Sequence, residues 1–548
     1  MDSVKIKEKG FASKIGFIFA AAGSAVGLGN IWRFPWQVSK YGGGAFVLVY
    51  LLMVLFLGAT VMIAEIALGR VTRGSVVDAY ERGGKGMKWI GLLAVAVPFF
   101  ITAYYTVIGG WSTKYTLNYI FEANFAAAGA GDYFGNFITS SYFAPIMSLV
   151  FMVITIYIVA KGVDKGIEKA SKFLLPTLFI MLLFLAIYAL ALPTKPGAQG
   201  AGAGVKYYIG SFDFKALGWN GVVAAMSQSF FSLSLGMGIM VAYGSYTGKK
   251  MDLGKSALTV VGLDTFFALV SGLIIFPTIF AIDPTLVSDA SGPGLIFIVL
   301  PTLFAQMPGG QFFGFLFFLL VAFAALTSLI SLLEVVSQYT IKRLNWNRKK
   351  ATWVFGLILG ILSMFISLSF SPVSGFMLAG KVDLLTYFDE ITNQILMPIV
   401  AFGSVLTVGW LIKKSDLYQM FESSQTNISK KKWVQETWYY LTKFIAPILI
   451  AIVLIMGIYG SFQANTNPSS DFYEFSITYG VVLIGALIFV VVAALGNIYL
   501  DSKKMQDILA KAKAAKGKEG DEDYQYDPLE DVDDEVEEVS TDAENEDN

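Results

Sequence analysis

The stretch that decides the fold reads Gly23-Ser24-Ala25-Val26-Gly27-Leu28-Gly29-Asn30, continued by Ile31-Trp32-Arg33-Phe34-Pro35. It sits inside an apolar run, residues 11–38, long enough to cross the ~30 Å hydrocarbon layer of a bilayer. Glycine in a helix interior costs up to ~1 kcal/mol and bares backbone polar groups. In lipid those groups find no water, so unwound backbone survives only against protein or a wet cavity. A second run, 219–246, carries Ser232-Leu233-Ser234-Leu235-Gly236-Met237-Gly238 at a similar depth. One such segment alone reads as close helix packing through small residues. Two of them, five spans apart, read as a carrier built from inverted five-helix repeats, with its cargo held where both helices break. At each break, half-helix N-termini offer N–H groups to an anion, and freed carbonyls suit a hard cation such as Na+. A zwitterion bearing a carboxylate fits that geometry.

The rest of the chain agrees with a membrane setting. Of 548 residues, 55% are hydrophobic and only 15% charged, with a mean hydropathy of +0.62; a typical soluble domain is roughly 25% charged. Twelve apolar spans can be drawn near 11–38, 42–68, 89–122, 142–160, 167–192, 219–246, 254–282, 310–341, 351–370, 384–412, 438–461 and 474–500. The fold class expected is therefore an all-α polytopic membrane protein. Residues 11–192 form the first inverted repeat, 219–412 the second, and 438–500 two further spans. Residues 1–10 carry Lys5, Lys7 and Lys9, and the apolar run behind them lacks a small-residue cleavage pattern, so no cleavable signal peptide is expected.

Charge writes the topology. Basic loops hold Arg70, Arg73, Arg82, Lys85 and Lys88, then Lys161, Lys165, Lys169 and Lys172, then Lys249, Lys250 and Lys255. Lys342, Arg343, Arg348, Lys349 and Lys350 follow, and then Lys430 to Lys432. The loops near 123–141, 283–309 and 462–473 contain no Lys or Arg. The positive-inside rule puts the basic loops and both termini in the cytoplasm, at a cell inner or plasma membrane. Residues 503–548 start basic and turn acidic, with fifteen Asp/Glu and no Lys/Arg from 521 onward. Such a tail is expected to be disordered. Cysteine and histidine are absent. That excludes disulfides, thiolate metal sites, Cys/His catalysis and histidine proton relays. Nothing resembles a serine-hydrolase or zinc constellation, so no enzyme is expected, and no nucleic-acid partner either.

With these residues in view, the chain resembles the neurotransmitter:sodium symporter family, in its bacterial and archaeal amino-acid transporter branch, with a leucine-transporter-type fold. The resemblance rests on Gly27-Leu28-Gly29-Asn30 with Trp32-Arg33-Phe34-Pro35 and on Gly42-Gly43-Gly44-Ala45-Phe46. It is extended by Glu65 to Arg70, Tyr104-Tyr105, Lys161-Gly162 onward, Gln228 to Gly238 and Ala325-Leu326-Thr327-Ser328, and covers about residues 11–500. It implies two sodium ions. The first would be held by the Ala25 carbonyl, Asn30, Ser232, Asp264 and the substrate carboxylate. The second would take the carbonyls of Gly23, Val26 and Ala324 and the hydroxyls of Thr327 and Ser328. The substrate carboxylate would meet the N–H groups of Leu28 and Gly29 and the Tyr105 hydroxyl, with its ammonium near the carbonyls of Phe231 and Ser232. Ala25, Gly27, Ile101, Phe231, Ser234, Met237, Ser328 and Leu332 would complete the substrate pocket. Phe231 and Tyr105 would close the outer lid, with Arg33 and Asp389 as a charged outer gate.

Several positions depart from the family's pattern. Chloride-dependent members have Asn at position 264 and Ser four residues on; this chain has Asp264 and Ala268, while Tyr50, Gln228 and Ser232 match other chloride-site positions. A carboxylate there supplies the negative charge chloride otherwise gives beside a bound Na+. Chloride-independent transport is expected, with a cation or a proton accompanying the buried Asp264. Where the family pairs an Arg at the start of helix one with an Asp ending helix eight, this chain has Glu8 and Lys342. One reading is a charge-swapped inner gate; the other is a slip of one or two residues, with Lys7 or Lys9 seeking another acid. Gly27 stands where monoamine carriers place an Asp, which leaves room for an amino acid's own carboxylate. Gly166 and Pro176 resemble a spacing that lets helix five unwind in some bacterial members, although proline near a helix start is ordinary. Glu334 is a further in-membrane carboxylate with no partner legible in the sequence.

The expected function is import of a neutral L-amino acid with a large apolar or aromatic side chain, coupled to Na+, by alternating access and as a monomer or homodimer. The alternatives are a carrier for another small amine or osmolyte, and a sensor that binds an amino acid without moving it.

Overall fold

A computed structural model describes residues 10–463 apart from 123, 124, 126–128, 141, 249, 250, 288–291, 372–382 and 423–429. Glu8, the neighbouring Lys7 and Lys9, the predicted span 474–500 and the acidic tail lie outside the described residues. Helix follows helix from the first described residues onward, and the only strand-like pairing among them is one bridge between Gly43 and Phe212.

Helix α1 (Lys14–Ala25) starts at Ser13, whose Oγ accepts the Gly16 N–H at 3.0 Å, and stops where Val26 turns to extended backbone at φ −71°, ψ 96°. Helix α2 (Gly29–Lys40) resumes at 47° to it. After α3 (Gly44–Thr72) and α4 (Lys85–Phe121) come α5 (Ala130–Ile138) and α6 (Phe143–Val159), bent from each other by 75°. Next are α7 (Val163–Leu190), α8 (Phe214–Ser232), α9 (Ile239–Ser245) and α10 (Leu253–Ile282). The series ends with α11 (Leu295–Phe304), α12 (Gly310–Leu344), α13 (Arg348–Leu368), α14 (Leu384–Leu411) and α15 (Lys432–Met456). Among the described residues, eight helices are long and apolar enough to cross a membrane, or ten if the bent pairs α1–α2 and α5–α6 each make one span. The predicted sixth span, 219–246, takes the form of α8 and α9 with Leu233–Gly238 unwound between them.

Two groups of helices pack by different means. Helices α4, α6, α12 and α13 lie against one another, with α12 along α4 and α13 along α6. Helix α9 is pressed onto α3 backbone to backbone. A side-chain atom at Gly69 would fall 1.9 Å from the Val241 carbonyl oxygen, and one at Gly244 would fall 2.3 Å from that of Ile66. Helix α1 lies among α7, α10 and α12, so its broken end faces the centre of the molecule. Large apolar side chains such as Leu55, Phe56, Phe173, Ile180, Ile187 and Ile448 are exposed at the periphery. An apolar surface of that kind belongs against lipid.

Candidate functional site

The two helix breaks meet at one small cavity lined by Ser24, Ala25, Gly27, Gly29, Ile101, Tyr105, Phe231, Ser234, Met237, Ile239, Ser328 and Leu332. Ten of the twelve residues expected to hold substrate therefore line one space. The other two stand just behind it: Leu28 donates its N–H to the Tyr105 hydroxyl at 2.8 Å, and Ser232 belongs to the neighbouring polar cluster. A side chain at Gly27 would displace its neighbours, because its first atom would fall 2.5 Å from Ser328 Oγ and 2.7 Å from the Tyr105 hydroxyl.

The second break is held open by backbone that turns left-handed at Ser234 (φ 54°), Gly236 (φ 71°) and Gly238 (φ 67°). Left-handed backbone costs glycine nothing and is unusual for serine. Ser234 is kept there by its Oγ, which donates to the Ser24 carbonyl at 3.0 Å and lies 3.3 Å from Ser24 Oγ, so the breaks are tied to each other. Glu65 on α3 fastens the same segment from outside. Its Oε1 accepts the Gly236 N–H at 2.9 Å and the Ser404 hydroxyl at 3.1 Å, and Ser404 is itself 2.7 Å from the Tyr80 hydroxyl.

Beside the cavity lies a buried oxygen cluster. Asn30 Nδ2 donates to Asp264 Oδ1 at 2.7 Å, to the Asp264 carbonyl at 3.0 Å and to Ser232 Oγ at 3.1 Å. Ser232 Oγ donates to both carboxylate oxygens of Asp264 at 2.9 Å, and the Tyr50 hydroxyl reaches Ser232 at 3.3 Å. Asn30 Oδ1 accepts the Gly27 N–H at 2.9 Å, and Gln228 holds the Gly29 carbonyl at 2.8 Å. On the other face of α1, Gly23 packs against Thr327 of α12. Thr327 Oγ1 donates to the Ala324 carbonyl at 3.0 Å; Ser328 Oγ donates to Ala324 at 3.3 Å and, across the interface, to Ser24 at 3.1 Å. Val26 closes α1 by donating to Ala22. Apart from the Asn30 amide nitrogen, which bonds Asp264 and Ser232, the side chains of both clusters offer neutral or anionic oxygens, the kind a hard cation prefers.

The model of the sodium:neurotransmitter symporter family matches residues 8–129 and 143–501 of this chain. The chain belongs to that family. It is similar to YhdH, an uncharacterised sodium-dependent transporter of Bacillus subtilis, with 35% identity over 81% of this chain and 96% of the relative. An uncharacterised sodium-dependent transporter of Methanocaldococcus jannaschii is 33% identical over 88% of this chain and 95% of that one. Among solved structures, the crystal structure of MhsT in complex with L-phenylalanine matches with a TM-score of 0.74 and 38% identity, over 82% of this chain and all of that chain. This symporter-family member is thus a multi-pass, sodium-dependent membrane transporter of a small molecule, and not an enzyme.

On one side of the transporter's cavity, the Arg33 guanidinium lies 4.8 Å over the Phe231 ring. The Asp389 carboxylate accepts from Asn393 Nδ2 at 2.7 Å and makes no ion pair with Arg33 within 4.0 Å. Near the end of α12, Lys342 donates to the carbonyls of Arg73 and Gly74, both at 2.9 Å. Glu334 has the partner that the sequence did not disclose: Arg348 grips it with two nitrogens at 2.7 and 2.9 Å, and the Tyr246 hydroxyl adds a bond at 2.7 Å. Sequence reasoning gave no role to Ser24, to Ile239 or to Glu65, which it met only as the start of a motif. Ser24 stood in the quoted stretch, and a polar residue directly after Gly23 was the available signal. Ile239 and Glu65 take their roles from contacts that no local pattern encodes.

Proposed function

We propose that this chain imports a large neutral L-amino acid together with Na+, without chloride, by alternating access. The observation that carries the reading is the meeting of both helix breaks at one cavity whose polar end includes the Tyr105 hydroxyl, held from behind by the Leu28 N–H, and whose walls include Ile101, Met237, Ile239 and Leu332. A carboxylate suits the first and an apolar side chain the second; MhsT, similar over most of the chain, was crystallised with L-phenylalanine. One Na+ then binds Ala25, Asn30, Ser232, Asp264 and the substrate carboxylate, and a second binds Gly23, Val26, Ala324, Thr327 and Ser328. Each of the first ion and the substrate stabilises the other, which is the source of coupling. The carboxylate of Asp264, already bonded to Asn30 and Ser232, provides the charge that would otherwise need chloride. Arg33, Asp389, Phe231 and Tyr105 form the outer gate in this reading. The helices of 11–192 and 219–412 act as inverted repeats, and α1–α3 with α8–α10 rock against α4, α6, α12 and α13. The Lys/Arg-rich loops face the cytoplasm.

Equilibrium binding of labelled L-phenylalanine to the purified chain, with unlabelled amino acids as competitors, tests this reading in sodium chloride, sodium gluconate and potassium chloride. Equal binding in both sodium salts and none in potassium is expected. Binding that disappears in gluconate would remove the chloride-independent part, and a best competitor lacking a carboxylate would remove the amino-acid part.

A further inference from the structure

Away from the cavity between the breaks, the end of α2 and the start of α8 form a second, open cleft. Lys40 and Tyr41 line it together with Lys215, Leu217, Trp219 and Asn220. Lys40 follows the first span and Lys215 precedes the sixth, so both stand on the side opposite the Lys/Arg-rich loops. Backbone joins the two ends: Gly43 bridges to Phe212, and a side-chain atom at Gly42 would fall 2.3 Å from the Asp213 carbonyl oxygen. Gly218 kinks α8 at φ 50°, ψ −170°, and a side chain there would meet nothing within 4 Å. Elsewhere on this side Lys114 lies 3.8 Å from Glu122, and Lys195 donates to Gln306. Lys40 and Lys215 have no acidic partner within 4.0 Å among the described residues. Lys40 rests 5.6 and 5.3 Å from the ring centres of Trp36 and Tyr41, contacts that use none of its N–H groups. Asp213, the acid nearest in the chain, caps α8 by accepting the N–H groups of Lys215 and Ala216 at 3.0 and 2.9 Å. Two ammonium groups thus stand against one carboxylate. Phe212, Phe214 and Trp219 are each more than half exposed around this end of α8. Exposed aromatic rings beside cations suit the headgroup level of a bilayer.

We propose that this cleft binds the phosphate of an anionic phospholipid, with Lys40 and Lys215 donating to its oxygens and the exposed rings lying beside its chains. Ammonium-to-phosphate hydrogen bonds are charge-assisted, and this pair has no protein acid to compete for them. A zwitterionic headgroup brings its own cation to a site that already holds two, so the cleft selects against it. The bound phosphate ties α2 to α8, the two half-helices that carry Asn30 and Ser232 to the breaks. The proposal needs neither the substrate nor the coupling ion of the transport reading, and its test is separate from uptake.

The chain contains no cysteine, so Ala216→Cys in the full-length protein carries a single bimane label on the wall of the cleft. Dihexanoyl phosphatidylglycerol, dihexanoyl phosphatidylcholine and inorganic phosphate are titrated against it in detergent. A saturable response to phosphatidylglycerol is expected, at least about tenfold tighter than to either other probe. Lys40→Gln and Lys215→Gln keep long side chains and should each weaken it about fivefold, and together about 25-fold. Lys206→Gln, an exposed lysine on the same side but outside the cleft, should leave it unchanged. The melting temperature of the unlabelled chain repeats the test without the label: phosphatidylglycerol should raise it in the parent and not in the double variant. A response to phosphatidylcholine equal to that to phosphatidylglycerol overturns the proposal, as does a double variant that binds phosphatidylglycerol like the parent. Inorganic phosphate acting as strongly as the lipid overturns the lipid assignment, and no response in either readout overturns the site.

Discussion

Asn30 Nδ2 and Asp264 Oδ1 are 2.7 Å apart, a bond between the broken first span and the middle of α10. Ser232, at the second break, donates to the same carboxylate. A single acid therefore draws both breaks together.

Asp264→Asn keeps the shape and removes the charge. Sodium-dependent binding in gluconate should weaken about 10–100-fold, as for loss of one charge-assisted ligand worth ~1.5–3 kcal/mol. Adding Ala268→Ser should return part of the affinity, and only when chloride is present. Titrations of Na+ in chloride and gluconate read both effects; a double variant indifferent to chloride would contradict the account of the charge.

Gly27→Ala should cost at least about tenfold in substrate affinity, since overpacking of a filled site costs ~1–3 kcal/mol. Its added atom meets Ser328 Oγ and the Tyr105 hydroxyl. Gly262→Ala on α10, where an added atom has no neighbour within 4 Å, is the control that should bind normally.

Tyr105→Phe takes away the acceptor of the Leu28 N–H. Leaving that buried donor unmatched costs ~1–3 kcal/mol, so amino-acid affinity should fall about 5–100-fold. Competitors that lack a carboxylate should lose much less, which isothermal competition can separate.

Arg348→Ala strands Glu334, which is fully buried. Breaking a buried pair by removing one partner typically costs ~3–5 kcal/mol. A marked fall in melting temperature in detergent is expected, and Glu334→Gln added to Arg348→Ala should recover much of it. No recovery would mean that Arg348 acts through its other contacts.

The fold was legible because its decisive signals are local. Glycine pairs inside apolar runs, and long uncharged spans between lysine-rich loops, speak for themselves without tertiary knowledge. The lining of the cavity was implied by the family resemblance rather than by any local pattern, and Ile101, Tyr105, Phe231, Met237 and Leu332 meet around one space. What stayed hidden depends on chain segments far apart in sequence. Glu65 opens a motif in the sequence but has no role until Gly236 and Ser404 arrive on it from the second break and from α14. The left-handed backbone of Ser234 runs against its residue type and is set by the bond to Ser24. Arg33, which the resemblance sets with Asp389 at the outer gate, lies over Phe231. Glu334 of α12 finds Arg348 only after the chain has turned between α12 and α13.

The most direct test of the central claim is accumulation of labelled L-phenylalanine by proteoliposomes containing the full chain, under an inward Na+ gradient that is then collapsed with an ionophore. The account predicts uptake above equilibrium that needs Na+, persists in gluconate and drains away when the gradient is lost. Filling to equilibrium at the same level with Na+ or K+ would contradict coupled transport, and binding without any entry would leave only a sensor.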